Sequence, residues 1–141
     1  MLDARVAVIN DFYDAWFRRD VDGVMATMSP LVRFTQHFAD PALGFTGTSV
    51  GKPAFKARLE MIFRDWCFDH AEPRHDRVDC DHIRTNCRFE VRHLESGAVF
   101  DGTFRHDWRV SQGLITHIDE QLDVARLKSF LRLLEASSRA E

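Results

Sequence analysis

Apolar residues recur at helical spacing in the first half of the chain and alternate at strand spacing in most of the second. From Asp3 to about Asp20, Val6, Ile9, Phe12, Tyr13, Trp16 and Phe17 return every three or four residues, which predicts an amphipathic helix. Arg5, Asn10, Asp14, Arg18 and Arg19 take its other face. Asp20 is placed to cap a short second helix over 21–28, and Ser29-Pro30 to end it. Leu31 to about His37 alternates as a strand, with Val32, Phe34 and Gln36 on one face and Leu31, Arg33, Thr35 and His37 on the other. The stretch Phe38 to Gly51, with Asp-Pro and three Gly, predicts an irregular loop of the kind that rims a pocket.

A third helix is expected from Lys52-Pro53, where the missing N–H of proline costs nothing, with Phe55, Leu59, Ile62, Phe63 and Trp66 as its buried stripe. From Asp69 the period drops to two. Strands are predicted near 75–80, 83–93, 98–110 and 114–121, with Glu95-Ser96-Gly97 and Ser111-Gln112-Gly113 as hairpin turns. Within 83–93, Cys87, Phe89 and Val91 alternate against Arg88, Glu90 and Arg92, so only one face is dry. Asp123 caps a last helix carried by Val124, Leu127, Phe130, Leu131 and Leu134, and Ala136–Glu141 reads as a frayed tail. Helices first and a curved antiparallel sheet afterwards define an α+β domain whose helices cover one face of the sheet.

The candidate chemistry lies in the last hairpin. One arm puts Phe104, His106, Trp108 and Val110 on a single face; the other puts Thr116, Ile118, Glu120 and Leu122 there. A carboxylate flanked by Ile118 and Leu122 points into an apolar interior, which is costly unless it is paired, protonated or lining a cavity. His106 and Glu120 are therefore candidate catalytic residues on a pocket floor, the imidazole as proton shuttle and the carboxylate to orient or assist it. His37 is a third candidate if a bulge turns it inward; the pattern leaves open whether Gln36 or His37 faces the pocket. Tyr13, Trp16, Trp66, Trp108, Gln36, Phe89 and Ile118 are the candidate substrate-binding positions.

Composition narrows the ligand and the setting. The chain has 141 residues and is 45% hydrophobic, sized for one domain over 1–141 with one core, and its twelve Phe and three Trp against one Tyr suit either a dense aromatic interior or a wall for a flat apolar molecule. A net charge of −3, with bases and acids interspersed, leaves no positive stripe, so nucleic acid is excluded as a partner. The start carries an acid and no long apolar run, which implies neither a secretory signal nor a membrane span and a cytoplasmic protein. Cys67, Cys80 and Cys87 are odd in number and lack a Cys-x-x-Cys spacing, so reduced thiols are expected. The cluster His70, His75, Asp76, Asp79, Asp81 and His82 matches no closed metal site, and neither metal nor cofactor is expected. Ile115, His117 and other outward residues of the sheet are a candidate homodimer surface.

Phe12-Tyr13-x-x-Trp16, Gly51-Lys52-Pro53-Ala54-Phe55 at the third helix, and Gly113-x-Ile115-x-x-x-x-Glu120-x-x-Asp123 together resemble the SnoaL-like branch of the nuclear transport factor 2-like superfamily, over nearly the whole chain. The resemblance implies a cone-shaped roll, with the curved sheet wrapped round the N-terminal helix, two further helices and a C-terminal helix. It also implies a pocket at the wide end and frequent dimerisation. Polyketide cyclases, isomerases, hydrolases and non-catalytic binding modules share that scaffold. Laid against ketosteroid isomerases, whose acid–base tuning is well described, the helix-1 tyrosine falls on Phe12, with Tyr13 one step round. The base aspartate falls on Gln36 or His37, and the proton-donating aspartate on His106. None is kept, which argues against steroid isomerisation by that mechanism. Against limonene epoxide hydrolases, Glu120 matches an acid of the water-activating triad, but the accompanying Arg-x-Asp is at best Arg88-Phe89-Glu90 on the wet face. The resemblance thus implies cofactor-independent acid–base chemistry on a small hydrophobic, cyclic or polyketide-like molecule, with a binding or dimerisation module as the alternative.

Overall fold

The computed structural model describes residues 3–37 and 46–140, with the backbone alone for 138–140. Helix α1 (Ala4–Phe17) starts at Asp3, whose carboxylate accepts from the Arg5 N–H; α2 (Val21–Ala26) is capped by Asp20, which accepts from Gly23 at 2.9 Å. Helix α3 (Lys52–Asp65) follows Gly51, whose φ of +96° is open to glycine and strained for other residues. Helix α4 (Val124–Ala140) is capped by Asp123, which accepts from the Arg126 N–H at 3.1 Å. It runs on through the segment expected to fray.

The strands are β1 (Met28–Gln36), β2 (Thr48–Val50), β3 (Trp66–Val78), β4 (Ile83–His93), β5 (Val99–Ser111) and β6 (Leu114–Leu122). They form one curved, unclosed sheet in the order β2-β1-β6-β5-β4-β3. The α+β class holds, but the sheet is not wholly antiparallel: β1 and β6 run parallel. A long crossover through α3 and the β3–β6 meander joins them, so no tight turn forces them to oppose.

Five local expectations are corrected. Strand β2 lies within the stretch read as loop, of which residues 38–45 fall outside the described residues. Trp66 is not the last member of the α3 stripe; its extended backbone (φ −135°, ψ 146°) opens β3. That strand begins well before residue 75 because it is a sheet edge, where mostly exposed, charged positions hide the alternation. Ser29-Pro30 lies inside β1 rather than ending α2, at an irregularity of the β1–β6 register that needs no N–H from proline. Finally, Val110 pairs with Ile115 but Arg109 with His117, so Thr116 is an extra residue in β6. That bulge turns Ile115 inward together with Ile118, and Ile115, fully buried, leaves the candidate dimer surface.

The core lies between α1, α3 and the concave face. Phe12 and Tyr13 meet Trp108 edge-on, at ring separations of 5.1 and 5.5 Å, while Trp16 packs on Phe63 and Phe68. Arg19 ties α1 to α3 by donating to the carbonyls of Phe63 and Trp66, which closes the C-terminal end of α3.

Candidate functional site

A buried chain of polar side chains crosses the concave face. The β5–β6 register sets His106 opposite Glu120, and the parallel β1–β6 register sets Gln36 beside it. His106 Nε2 lies 2.8 Å from Glu120 Oε1, and Gln36 Nε2 donates to Glu120 Oε2 at 2.5 Å. From α3, Arg58 Nη2 donates to Gln36 Oε1 at 2.7 Å, and its guanidinium stacks 4.6 Å over Phe34. On the other side, His106 Nδ1 lies 2.6 Å from the Tyr13 hydroxyl. Tyr13, His106, Glu120, Gln36 and Arg58 thus form one hydrogen-bonded line through the interior.

Charge along that line is unevenly favoured. Burial pushes the Glu120 carboxyl up, but the hydrogen bonds from His106 and Gln36 and the Arg58 charge outweigh it and hold the group below its ordinary value. Glu120 is therefore a carboxylate that only accepts, so Nε2 of His106 carries a hydrogen. Burial pushes Arg58 down to about 10, partly offset by Glu120, and pushes the Tyr13 hydroxyl well above the ordinary tyrosine value.

Glu120 and Gln36 form the polar end of a small cleft of about 90 Å³, open to solvent. Its walls are the rings of Trp16, Trp66, Phe68, Phe89, Phe100 and Phe104, and Leu127 of α4 lies at its edge. The lining suits the edge of a small, largely apolar ring system held by a few polar contacts.

Of the sequence candidates, Trp16, Gln36, Trp66, Phe89 and Glu120 line this cleft. His106 stands behind Glu120, 4% exposed and 4.6 Å from the Phe104 ring. Both groups were expected on the pocket floor; the carboxylate meets the cleft, whereas the imidazole lies behind it. Tyr13, Trp108 and Ile118 are not on the wall; each is at most 2% exposed and packs beneath the floor. His37 does not turn inward. No bulge intervenes, so the register that buries Gln36 sends His37 to the exposed side, where its Nε2 meets Asp119 at 3.0 Å. The sequence reading missed Arg58, although a charge set three residues after Phe55 and four before Ile62, on the apolar stripe of α3, was a signal. Among the described residues, no three His, Cys, Asp or Glu gather as a metal site.

This fold carries the SnoaL-like domain signature over residues 9–118, and the chain belongs to that family. No curated protein matches it. Among solved structures it is similar to TerC, co-crystallised with polyporic acid, at 22% identity over 94% of this chain and 99% of that one, with a TM-score of 0.79. A nuclear transport factor 2-like protein of unknown function from Burkholderia pseudomallei K96243 shares 22% identity over 89% and 95% of the two chains, with a TM-score of 0.76. A provisionally named isomerase from Rhodopseudomonas palustris shares 12% over 90% and 94%, with a TM-score of 0.79. These likenesses establish the cone-shaped fold. Among the described residues, no helix is long and apolar enough to cross a membrane.

Proposed function

We propose that the protein is a cofactor-independent acid–base enzyme acting on a small hydrophobic, cyclic or polyketide-like molecule. The observation that carries the reading is a single buried carboxylate, Glu120, at the polar end of an aromatic cleft and backed by His106. Each carboxylate oxygen has a second lone pair, so Glu120 can accept from a ligand while keeping its bonds to His106 and Gln36. Because its pKa is held low, Glu120 is a weak base, suited to protons already made acidic by neighbouring carbonyl groups. An apolar ligand that displaces water from the cleft raises that basicity where it is needed. In this reading Glu120 is the catalytic group, His106 positions and recharges it, and Trp16, Trp66 and Phe89 hold the ring.

The test uses polyporic acid, the compound crystallised with TerC, together with a panel of cyclic carbonyl compounds. Binding is followed by quenching of Trp fluorescence, and proton chemistry by NMR of deuterium uptake at ligand carbons in heavy water. Wild type should bind and exchange; Glu120→Gln should bind and not exchange. The rival reading, a binding module of the same fold, is favoured by the full pairing of both Glu120 oxygens. Binding without exchange by the wild type across the panel would establish it.

We also infer a homodimer through the outer sheet face. Leu31 is 77% and Val50 57% exposed there, on neighbouring strands whose register pairs Arg33 with Val50. Sedimentation velocity should show a dimer that Leu31→Asp weakens; a wild type that sediments as a monomer at micromolar concentration refutes this.

A further inference from the structure

The two polar residues of the cleft are each turned by a partner that stands behind the wall. Arg58, buried on α3, holds Gln36 through Oε1, and His106 holds Glu120 through Oε1. Neither Arg58 nor His106 lines the cleft, whereas Gln36 and Glu120 do. The remaining terminal atoms, Nε2 of Gln36 and Oε2 of Glu120, lie 2.5 Å apart and make up its polar edge. Arg58 is itself fixed at several points. Its Nη1 donates to the Gly47 carbonyl at 3.0 Å and to Ser49 Oγ at 3.2 Å, and the guanidinium lies over the Phe34 ring. The acid–base reading of the cleft uses Glu120 and leaves the amide and the guanidinium without a role.

We propose that Gln36 and Glu120 together recognise a ligand edge on which a carbonyl and a hydroxyl sit on adjacent ring carbons, and that Arg58 is the positioning residue that sets the Gln36 amide for it. The inference rests on the acid–base reading of Glu120 and names the substrate class of that site.

Counting donors and acceptors fixes the pattern. A guanidinium only donates, so the Gln36 atom facing Arg58 is the amide oxygen. A carboxylate only accepts, so the atom facing Glu120 is the amide nitrogen. Both neighbours demand the same orientation, and a flipped amide would set donor against donor on one side and acceptor against acceptor on the other. Nε2 carries two hydrogens; Glu120 takes one, and among the described residues the other has no acceptor. Oε2 keeps a second lone pair. The cleft therefore offers one donor beside one acceptor. Two nearly parallel hydrogen bonds to that pair need a ligand acceptor and a ligand donor about as close together as Nε2 and Oε2 are, a condition met by oxygens on adjacent carbons and not by oxygens across a ring. The carbonyl takes the amide hydrogen, and the hydroxyl beside it donates to the carboxylate. A methyl ether in place of the hydroxyl sets an acceptor and a methyl group against Oε2. A ligand carboxylate sets a second negative charge there. The rings of Trp16, Trp66 and Phe89 flank the apolar remainder of the ligand.

The probes are 3-hydroxychromone, a flat bicycle with its hydroxyl next to the carbonyl, its methyl ether 3-methoxychromone, and chromone, which lacks the hydroxyl. Each is titrated into the full chain labelled with nitrogen-15, and binding is followed by NMR at the side-chain amide of Gln36. Wild type should bind 3-hydroxychromone at least about tenfold more tightly than either of the others, the worth of one hydrogen bond to a charged group, and the Gln36 amide signals should shift with it. Gln36→Met, which keeps the length and loses the donor, should weaken binding of 3-hydroxychromone several-fold. Arg58→Met should weaken it in the wild-type background and add nothing to Gln36→Met, whereas a merely structural arginine would weaken both alike. Equal affinities for the three probes in wild type, or no binding of 3-hydroxychromone, overturn the proposal, and that comparison needs no variant to fold. Unchanged affinity in folded Gln36→Met overturns it as well. The expected preference with no deuterium uptake in any ligand defeats the enzyme reading alone. Deuterium uptake into cyclic ketones, with equal affinities for the three probes, defeats the specificity alone.

Discussion

Glu120→Gln should lower ligand proton exchange by about 10²–10⁴-fold, the range for loss of a positioned general base, and leave ligand affinity within a few-fold of wild type. The amide keeps the volume of the carboxylate and one accepting oxygen, but cannot take a proton. Glu120→Ala goes further. It strips His106 and Gln36 of their partner and removes the anion nearest the buried Arg58, so a stability loss of about 3–5 kcal/mol is expected, the cost of breaking a buried pair. The two variants separate charge from packing, since only the second leaves buried donors unpaired. Acid should reproduce part of that loss in wild type. The Glu120 carboxyl is held below its ordinary value of 4.5 when folded, so its contribution is complete above that value and disappears as pH falls through the lower folded one. Urea midpoints measured from neutral pH downward should therefore fall more steeply for wild type than for Glu120→Gln. Parallel curves would remove the carboxylate from the buried network.

The residues that betrayed the site did so by breaking a local pattern. Glu120 stood where Ile118 and Leu122 demanded an apolar side chain, and His106 interrupted the aromatic face of the facing arm; both prove to be buried polar groups joined to each other. What could not be read from the chain was which of the two meets the cleft, because period-two alternation gives the face but not the depth. His106 and Glu120 share a face, yet the rings of Phe104 and Tyr13 flank the imidazole while the carboxylate meets the cleft. The same blindness misplaced Tyr13, Trp108 and Ile118 on the wall. Two features of register were equally silent. The extra Thr116 in β6 inverted the expected facing of Ile115, and the parallel β1–β6 pair decided between Gln36 and His37 through contacts made more than eighty positions apart in sequence.

Trp108→Ala and Trp66→Ala should therefore fail in different ways, although periodicity alone made both tryptophans candidate walls. Trp108 is 1% exposed, touches Phe12, Tyr13 and His106 edge-on, and gives its N–H to Thr85. Truncating it leaves a closed void beneath the floor and an unfilled lone pair on a buried hydroxyl, for an expected loss of about 3–5 kcal/mol. Trp66 lies at the cleft, against His93 and Phe130, so its removal widens a space already open to water. A smaller loss of stability and a larger loss of ligand affinity are expected there. Chemical denaturation and fluorescence titration of the two variants decide the matter. If Trp108→Ala loses less than about 1 kcal/mol and instead weakens binding, the ring belongs to the wall, and the polar line behind it is closer to the ligand than the packing indicates.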